Sequence, residues 1–350
     1  MKRQKLLILS AITITIIIIA ALFTQSRAPQ TTIEKEVLFP ELANKVNDVA
    51  RIEIKSSENR NVILQKIQGG QWVIQSADNY PALFDKIKDA VVSLSQLKIL
   101  ATKTDNPKLY PDLGVEGPEG KDTSSLLLTL SDQSGTTLAS LIVGKPRKNI
   151  GGSNRPNLYV RKTDAKNALL VEGYLQLKSN NNDWYERNVI HIPASRIQNV
   201  NISKSTGEYL LINKHAEGDT EFKVMEGNTA SPSVLLNKLG TFFEDMHVEG
   251  VHAANNFEFP DDATITTFTT FNGLTITVRN VLSEGKAYAH FSFAAAATSI
   301  PADEIPESDS ESITVEEESQ LWNQFLSHWV YEIPEFKFET LDVNVAQAAE

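Results

Sequence analysis

The stretch Val49-Ala-Arg-Ile-Glu-Ile-Lys-Ser56 decides the fold, because a related stretch returns as Ile197-Gln-Asn-Val-Asn-Ile-Ser-Lys204. Apolar and polar residues alternate near the centre of each stretch, as in a strand with one buried face. The match continues downstream, where two further pairs of segments align: residues 62–66 with 210–214, and residues 70–74 with 220–224. We therefore predict two diverged copies of one structural unit.

Each copy continues from these strands into one amphipathic helix. The helix follows Pro81 in the first copy and Pro232 in the second, and proline is tolerated in a first helical turn. Apolar residues recur at helical spacing in both: Leu83, Phe84, Ile87, Val91 and Leu94, then Leu235, Leu239, Phe242, Phe243 and Met246. Alternation predicts later strands at residues 125–130, 137–143, 157–161 and 168–171, and again at 264–271, 274–281 and 287–293.

The connections between these strands favour antiparallel pairing. Phe271-Asn-Gly-Leu274 is a hairpin signal, because Asn-Gly accepts the positive φ of a primed turn. The fold class that we predict is α+β. It consists of two tandem diverged repeats of antiparallel strands with one packed helix each, after an N-terminal transmembrane helix.

The N-terminus predicts a membrane anchor. Lys2, Arg3 and Lys5 precede residues 6–23, a run without a charged residue. At 1.5 Å per residue, about 18 residues reach across a bilayer core of roughly 30 Å. The basic flank should stay in the cytoplasm, so we expect the rest of the chain to be exported. A cleaved signal peptide is the alternative, although Pro29 directly follows the small-x-small site at residues 26–28.

Composition excludes some classes of protein. The chain has no cysteine, so neither a disulfide nor a lipidated N-terminal cysteine is possible. Its net charge is −11 and its pI about 5.2, which argues against nucleic acid as a partner. An exported region of this size can bury a core without disulfides.

The last part of the chain reads as a solvated loop followed by a closing element. Residues 301–318 hold eight acidic residues and no basic one. Thr314-Val-Glu-Glu317 has capping-box spacing, so a helix should begin there. We expect that helix to turn Leu321, Trp322, Phe325 and Trp329 toward the core, and the alternation of Phe336, Phe338 and Leu341 suggests an extended segment after it.

These observations divide the chain into seven parts. They are a cytoplasmic basic tip (1–5), a transmembrane anchor (6–24), a linker (25–36), a first α+β repeat (37–183), a second α+β repeat (184–300), an acidic loop (301–318), and a C-terminal helix with a closing strand (319–350).

A search for catalytic and metal-binding motifs gives only weak matches. His247, Glu249 and His252 lack the helical spacing of a zinc site, and Gly250 favours a strand or loop there. Ser95-Gln-Leu-Lys98 matches the Ser-x-x-Lys of penicillin-interacting enzymes without its companion motifs. We find no phosphate-binding loop, dinucleotide fingerprint or nucleophile elbow. We therefore predict no catalytic residues, no metal and no cofactor.

One basic segment has functional potential. Residues 144–162 read as a long hairpin loop that carries basic residues and no acid, and such a patch could hold an anionic lipid headgroup, glycan or acidic protein face. The alternative is a solvated hairpin tip, with residues 316–318 as a possible intramolecular partner. The candidate binding residues are Lys145, Arg147, Lys148, Arg155, Arg161 and Lys162.

The order of several short motifs resembles a known bacterial family, the domain of unknown function 4340. The most specific parts are Tyr110-Pro-Asp-Leu-Gly-Val115 and the strand Leu141-Ile-Val-Gly144. Phe39-Pro-Glu-Leu42, Trp72, Tyr80-Pro81, residues 97–101 and Leu158-Tyr-Val-Arg161 agree as well. The resemblance implies a single-span envelope protein, sometimes encoded beside ABC transporters of the gliding-motility type. It supplies no catalytic residues.

Three functional hypotheses follow. The leading one is a non-enzymatic accessory protein of an ABC-transporter-type envelope complex, anchored in the bacterial inner membrane through residues 6–24, with its N-terminus cytoplasmic and its C-terminal region periplasmic. Its partners would be an ABC permease or auxiliary subunits. The second is a periplasmic module that binds an anionic lipid headgroup or glycan through the basic segment. The third is an unrecognised hydrolase.

Overall fold

The computed structural model describes residues 35–57, 60–120, 123–147, 156–225, 233–296 and 313–342. The predicted anchor at residues 6–24 lies outside these ranges. Within the ranges, no helix is long and apolar enough to cross a membrane. The described chain is built mainly from antiparallel strands with a few helices, as the predicted α+β class requires.

Nineteen strands and six α-helices make up this architecture. The strands are β1 Val49–Lys55, β2 Asn61–Lys66, β3 Trp72–Ile74, β4 Tyr80–Pro81, β5 Lys98–Thr104, β6 Leu126–Asp132, β7 Thr137–Arg147, β8 Asn157–Lys162, β9 Ala168–Glu172, β10 Asn188–Ile190, β11 Ile197–Ser203, β12 Tyr209–Asn213, β13 Lys223–Val224, β14 Met246–His247, β15 Gly250–Ala253, β16 Thr264–Thr270, β17 Leu274–Ser283, β18 Lys286–Ala295 and β19 Trp329–Ile333. The helices are α1 Leu42–Lys45, α2 Phe84–Ser95, α3 Tyr110–Leu113, α4 Ser233–Gly240, α5 Val315–Leu326 and α6 Glu335–Leu341.

The strands form two large sheets and one short ribbon. The first sheet has the order β4-β3-β2-β1-β6-β7-β8-β9-β5, and the second has the order β13-β12-β11-β16-β17-β18-β19-β15. Strands β10 and β14 pair separately. If β4 is set aside, both sheets follow the same order, with each strand of the second numbered ten higher than its counterpart in the first.

Alternating burial explains why these segments form strands. In β17, Leu274, Ile276 and Val278 are buried, and the threonines between them are half-buried. Strand β1 buries Ile52 and Ile54 in the same way. One continuous hydrophobic core runs beneath both sheets, so the two halves of the chain pack as one body.

The hairpin between β16 and β17 forms where the sequence predicts it, but with a different turn. The last paired residues are Thr269 and Thr275, and Gly273 has φ +91°. Asn272 has no positive φ, so this is not the two-residue primed turn that Asn-Gly suggested. The hydroxyl of Thr270 stabilises the longer loop by accepting the backbone N–H of Leu274 at 2.8 Å.

Helix α5 begins with the predicted capping box but faces the core through other residues. The side chain of Thr314 accepts the N–H of Glu317, and Glu317 accepts the N–H of Thr314. The expectation for the buried face was wrong, because Leu321 is 44% exposed and Phe325 is 63% exposed. The helix packs instead through a stripe at positions 319, 322, 323 and 326, where Trp322 stacks on Phe293.

The C-terminal elements also differ in part from the sequence interpretation. Strand β19 pairs with both β18 and β15 and thus closes the second sheet. The alternating residues Phe336, Phe338 and Leu341 lie in helix α6 rather than in an extended segment, and Phe336 is exposed. The suggested contact between residues 316–318 and the basic segment is wrong for Glu318, whose carboxylate binds Arg196 at 2.8 and 2.9 Å.

Candidate functional site

The two sheets meet edge to edge at a contact that we call the seam, formed by Asp78, Tyr80, Tyr185, Trp329 and Tyr331. Strand β4, at the edge of the first sheet, lies beside β15 of the second. The carboxylate Oδ2 of Asp78 accepts the backbone N–H of Ala253 at 2.9 Å. A charge-assisted hydrogen bond of this kind fixes the position of one edge relative to the other.

Aromatic rings fill the seam behind this hydrogen bond. The ring of Tyr80 lies edge-to-face against Tyr185, Trp329 and Tyr331, with centroid distances of 5.1, 4.8 and 6.3 Å. These geometries are favourable beyond the area they bury. Burial raises the pKa of the phenols of Tyr80, Tyr185 and Tyr331, so all three stay neutral at physiological pH.

A cleft of about 420 Å³ opens at the seam. It receives residues from the first sheet, from the connection between the sheets and from the second sheet. We call it the seam cleft and define it by the following lining residues: Arg60, Asn61, Ser76 and Asp78, then Ser179, Asn181, Asn182 and Tyr185, and finally Glu249, His252 and Glu332. Its volume falls in the range of small-molecule sites.

Local backbone geometry places the first-sheet side of the cleft. Asp78 and Asn79 have φ of +53° and +66°, a left-handed conformation that aspartate and asparagine tolerate better than most residues. This turn reverses the chain between β3 and β4 and directs the Asp78 carboxylate to the second sheet. Asn181 supports the turn, because it accepts the hydroxyl of Ser76 at 2.6 Å and donates to the Ser76 carbonyl at 2.9 Å.

The charges around the seam cleft are largely compensated. The Glu332 carboxylate accepts Lys286 Nζ at 2.8 Å, and Asp78 accepts a backbone N–H. Two buried polar atoms remain without a hydrogen-bond partner among the described residues: the hydroxyl of Tyr185 and Oδ1 of Asn61. Such atoms are uncommon in native structures and call for an explanation.

The predicted basic segment does not form a free cationic patch in the described structure. Lys145 Nζ donates to the Pro111 carbonyl at 2.9 Å, and Arg161 Nε donates to the Val115 carbonyl at 3.0 Å. The ammonium of Lys162 lies 4.8 Å from the centroid of the Phe39 ring. Arg147 ends β7 and is half-buried. Lys148 and Arg155 lie outside the described residues.

These basic side chains hold a segment that the family resemblance singled out. Residues 110–115 fold as the short helix α3, whose C-terminal Gly114 has φ +65°. Gly144 of β7 lies against this segment so closely that a Cβ would come within 2.5 Å of the Leu113 carbonyl oxygen. The guanidinium of Arg161 also lies 4.7 Å from the ring centroid of Tyr110. The motifs therefore dock one segment onto a small second core.

The weak catalytic and metal candidates are separated or engaged in structural contacts. His247 lies in β14 and His252 in β15, where the His252 ring contacts Tyr288. The hydroxyl of Ser95 donates to the Val92 carbonyl at 2.7 Å, as serine does near a helix end. Within the described ranges, no three His, Asp or Glu side chains are arranged to hold a metal ion.

Sequence reasoning missed the residues of the seam cleft. The run Ser179-Asn-Asn-Asn-Asp183 and the pair Asp78-Asn79 are visible in the sequence as turn-forming polar clusters. They indicate turns, but they do not indicate that the turns meet. Tyr185 and Tyr331 were noted only as parts of two aromatic-proline borders.

These features define a class: an α+β protein of two antiparallel sheets joined at an edge over one core. The chain matches the family described as "Domain of unknown function (DUF4340)" over residues 72–264, which is more than half of its length. It therefore belongs to that family, and the match spans the seam from β3 to the start of β16. No curated protein and no solved structure matches the chain.

Proposed function

We propose that the chain is a non-enzymatic, membrane-anchored periplasmic accessory protein of an ABC-transporter-type envelope complex. The observation that carries the proposal is the N-terminal sequence, in which Lys2, Arg3 and Lys5 precede the uncharged residues 6–23. This arrangement is typical of a single-pass anchor with its basic flank in the cytoplasm. The family membership supports the proposal, since members resemble single-span envelope proteins.

The folded part fits a scaffold rather than an enzyme. Its two sheets share one core, and the seam joins them through a hydrogen bond and a cluster of rings. A rigid body with long sheet edges offers docking surfaces to other subunits. The apolar side chains of Leu321 and Phe325 lie four residues apart on the exposed face of α5, so they add to such a surface.

We further propose that the two sheets derive from two diverged repeats. Their common strand order supports this, and so does a common irregularity. The pairing of β1 with β6 shifts register between Val49 and Arg51, and the pairing of β11 with β16 shifts between Ile197 and Asn199. The shifts fall at aligned positions of the two segments that open the repeats.

The alternative of an anionic ligand at the basic segment has less support. Lys145, Arg161 and Lys162 are occupied by backbone carbonyls or an aromatic ring, so their charges serve the docking of residues 110–115. A ligand there would have to displace these contacts or use Arg147 with residues outside the described ranges.

The proposal is tested by purifying the full-length chain with a C-terminal tag from gently solubilised membranes and identifying associated proteins by mass spectrometry. A matched control replaces residues 6–23 with an unrelated single-pass helix. Recovery of an ABC permease or its auxiliary subunit in stoichiometric amount, with either anchor, would support a partner held by the folded part. Recovery of the chain alone, intact at its N-terminus, would contradict the proposal.

A further inference from the structure

We propose that the seam cleft binds a small, hydroxyl-rich saccharide. The site goes beyond the accessory role, because it depends on the seam alone and not on a transporter partner. Residues from both sheets and from their connection line it, so it exists only where the two sheets meet.

The first argument is the pair of buried polar atoms that the protein leaves without partners. Tyr185 is only 2% exposed and lines the cleft, and its hydroxyl has no hydrogen-bond partner within the described ranges. Asn61 also lines the cleft, and its Oδ1 is equally unpartnered there. One is a hydroxyl that donates and the other an oxygen that accepts. A ligand hydroxyl group can satisfy either of them, because it both donates and accepts.

The second argument is the charge of the lining. Three carboxylates, those of Asp78, Glu249 and Glu332, disfavour an anionic ligand. Two of them already have partners, Ala253 N–H for Asp78 and Lys286 for Glu332, so the site does not call for a strongly cationic ligand either. A neutral ligand with many hydroxyl groups fits this balance.

The third argument is the density and type of the other polar groups. The connection between the sheets contributes Ser179, Asn181 and Asn182 to the lining, and amide side chains offer donors and acceptors together. The volume of about 420 Å³ accommodates a small ligand rather than a macromolecule. The lining therefore complements neighbouring hydroxyl groups of a sugar.

The test uses the full chain in lipid nanodiscs, because glycoside detergents would supply sugar head groups of their own. Glucose, galactose, N-acetylglucosamine and their β-1,4-linked disaccharides are titrated one at a time by isothermal calorimetry, up to millimolar concentration. We expect at least one of them to bind. Absence of binding by the whole panel would overturn the proposal.

Three variants locate the binding. Tyr185→Phe removes only the unpartnered hydroxyl and should weaken binding at least tenfold, while the melting temperature without ligand stays equal or rises. Ser179→Trp fills the cleft from the connection and should abolish binding. Tyr209→Phe removes the hydroxyl of an exposed tyrosine outside the cleft and should leave binding unchanged. Unchanged binding by both Tyr185→Phe and Ser179→Trp would overturn the assignment of this site.

Discussion

The first and second sheets keep one strand order over cores that are built differently. The first buries aliphatic side chains, and Leu130 of β6 faces Ile52 of β1 across the pairing. The second places Phe268 at the corresponding point, opposite Val200, and surrounds it with Phe242 and Phe243. The difference teaches that the order of strands depends on alternation and connection, whereas the filling of the core can change in size and shape.

The two sheets also complete their helices differently. Helix α2 of the first sheet has 12 residues, whereas α4 of the second has 8 and is followed by a turn. Lys337 of α6 supplies donors to that turn, since its Nζ donates to the carbonyls of Phe242 at 2.6 Å and Glu244 at 2.8 Å. Burial lowers the pKa of Lys337. An element added after β19 thus satisfies carbonyl groups near the end of a shorter helix.

The largest expected effect tests the difference in core filling. Phe268→Ala should lower the free energy of unfolding by about 4 kcal/mol, because it removes a buried ring and leaves a cavity. Leu130→Ala at the matching position should lower it by about 3 kcal/mol. Chemical denaturation of both variants measures the two losses. A smaller loss for Phe268→Ala than for Leu130→Ala would contradict the view that the ring cluster dominates the second core.

The next effect concerns the lysine that completes the second helix. Lys337→Met should lower the free energy of unfolding by about 2 kcal/mol, because two carbonyls near the buried ammonium lose a charged donor. Lys238→Met, on the exposed side of α4, serves as the control and should change it by less than about 0.5 kcal/mol. Equal unfolding curves for the two variants would show that Lys337 does not serve the turn.

A gain of stability is expected where the second sheet has a polar residue and the first has an apolar one. Thr266 is fully buried opposite Ile202, and its hydroxyl has no partner among the described residues; Leu128 occupies the matching position opposite Ile54. Thr266→Val should therefore raise the free energy of unfolding by about 1 kcal/mol. Thermal unfolding reports the sign, and a lower midpoint would mean that the hydroxyl is used.

The smallest effect depends on pH and belongs to the second sheet. The hydrogen bonds from Arg196 lower the pKa of Glu318 below its ordinary value in the folded state. The ion pair therefore stabilises the fold above about pH 4.5, the ordinary value for an unfolded glutamate, and this stabilisation is lost as the pH falls through the folded pKa. Glu318→Gln should lose about 1 kcal/mol at pH 7.

The pH profile of that variant contains its own control. Below the folded pKa both proteins carry a neutral side chain at position 318, so the difference between wild type and variant should shrink toward zero. Urea denaturation at neutral and acidic pH measures it. A difference that stays constant across the range would assign the loss to packing.

Much of the fold could be predicted from the sequence, because alternation over five or more residues is a strong local signal. Strands such as β6, β7, β16 and β17 and the capping box at Thr314 follow from it. Strands of two to four residues, such as β4 and β15, are too short to show a period, and these two form the seam. The seam depends on contacts between distant parts of the chain, which no local pattern reports.

Helix α5 shows a second reason why prediction failed. Leu321 and Phe325 are the apolar pair that the sequence favoured, yet the packed stripe contains Ser319 and Asn323. The amide of Asn323 bonds to both backbone groups of Phe293, at 2.9 and 2.7 Å, beyond the point where β19 stops pairing with β18. The need to satisfy an exposed strand edge therefore outweighs the burial of a leucine and a phenylalanine.

The most direct test of the account is whether the seam makes the two sheets one cooperative body. Native-state hydrogen exchange of the full chain, followed by mass spectrometry, compares peptides from β1 and β11 as denaturant is increased. The account predicts that both strands open with one common free energy in the wild type, and that Tyr80→Ala, which removes the central ring of the seam, separates them. Two different opening free energies in the wild type would show that the sheets fold as independent units and would contradict the account.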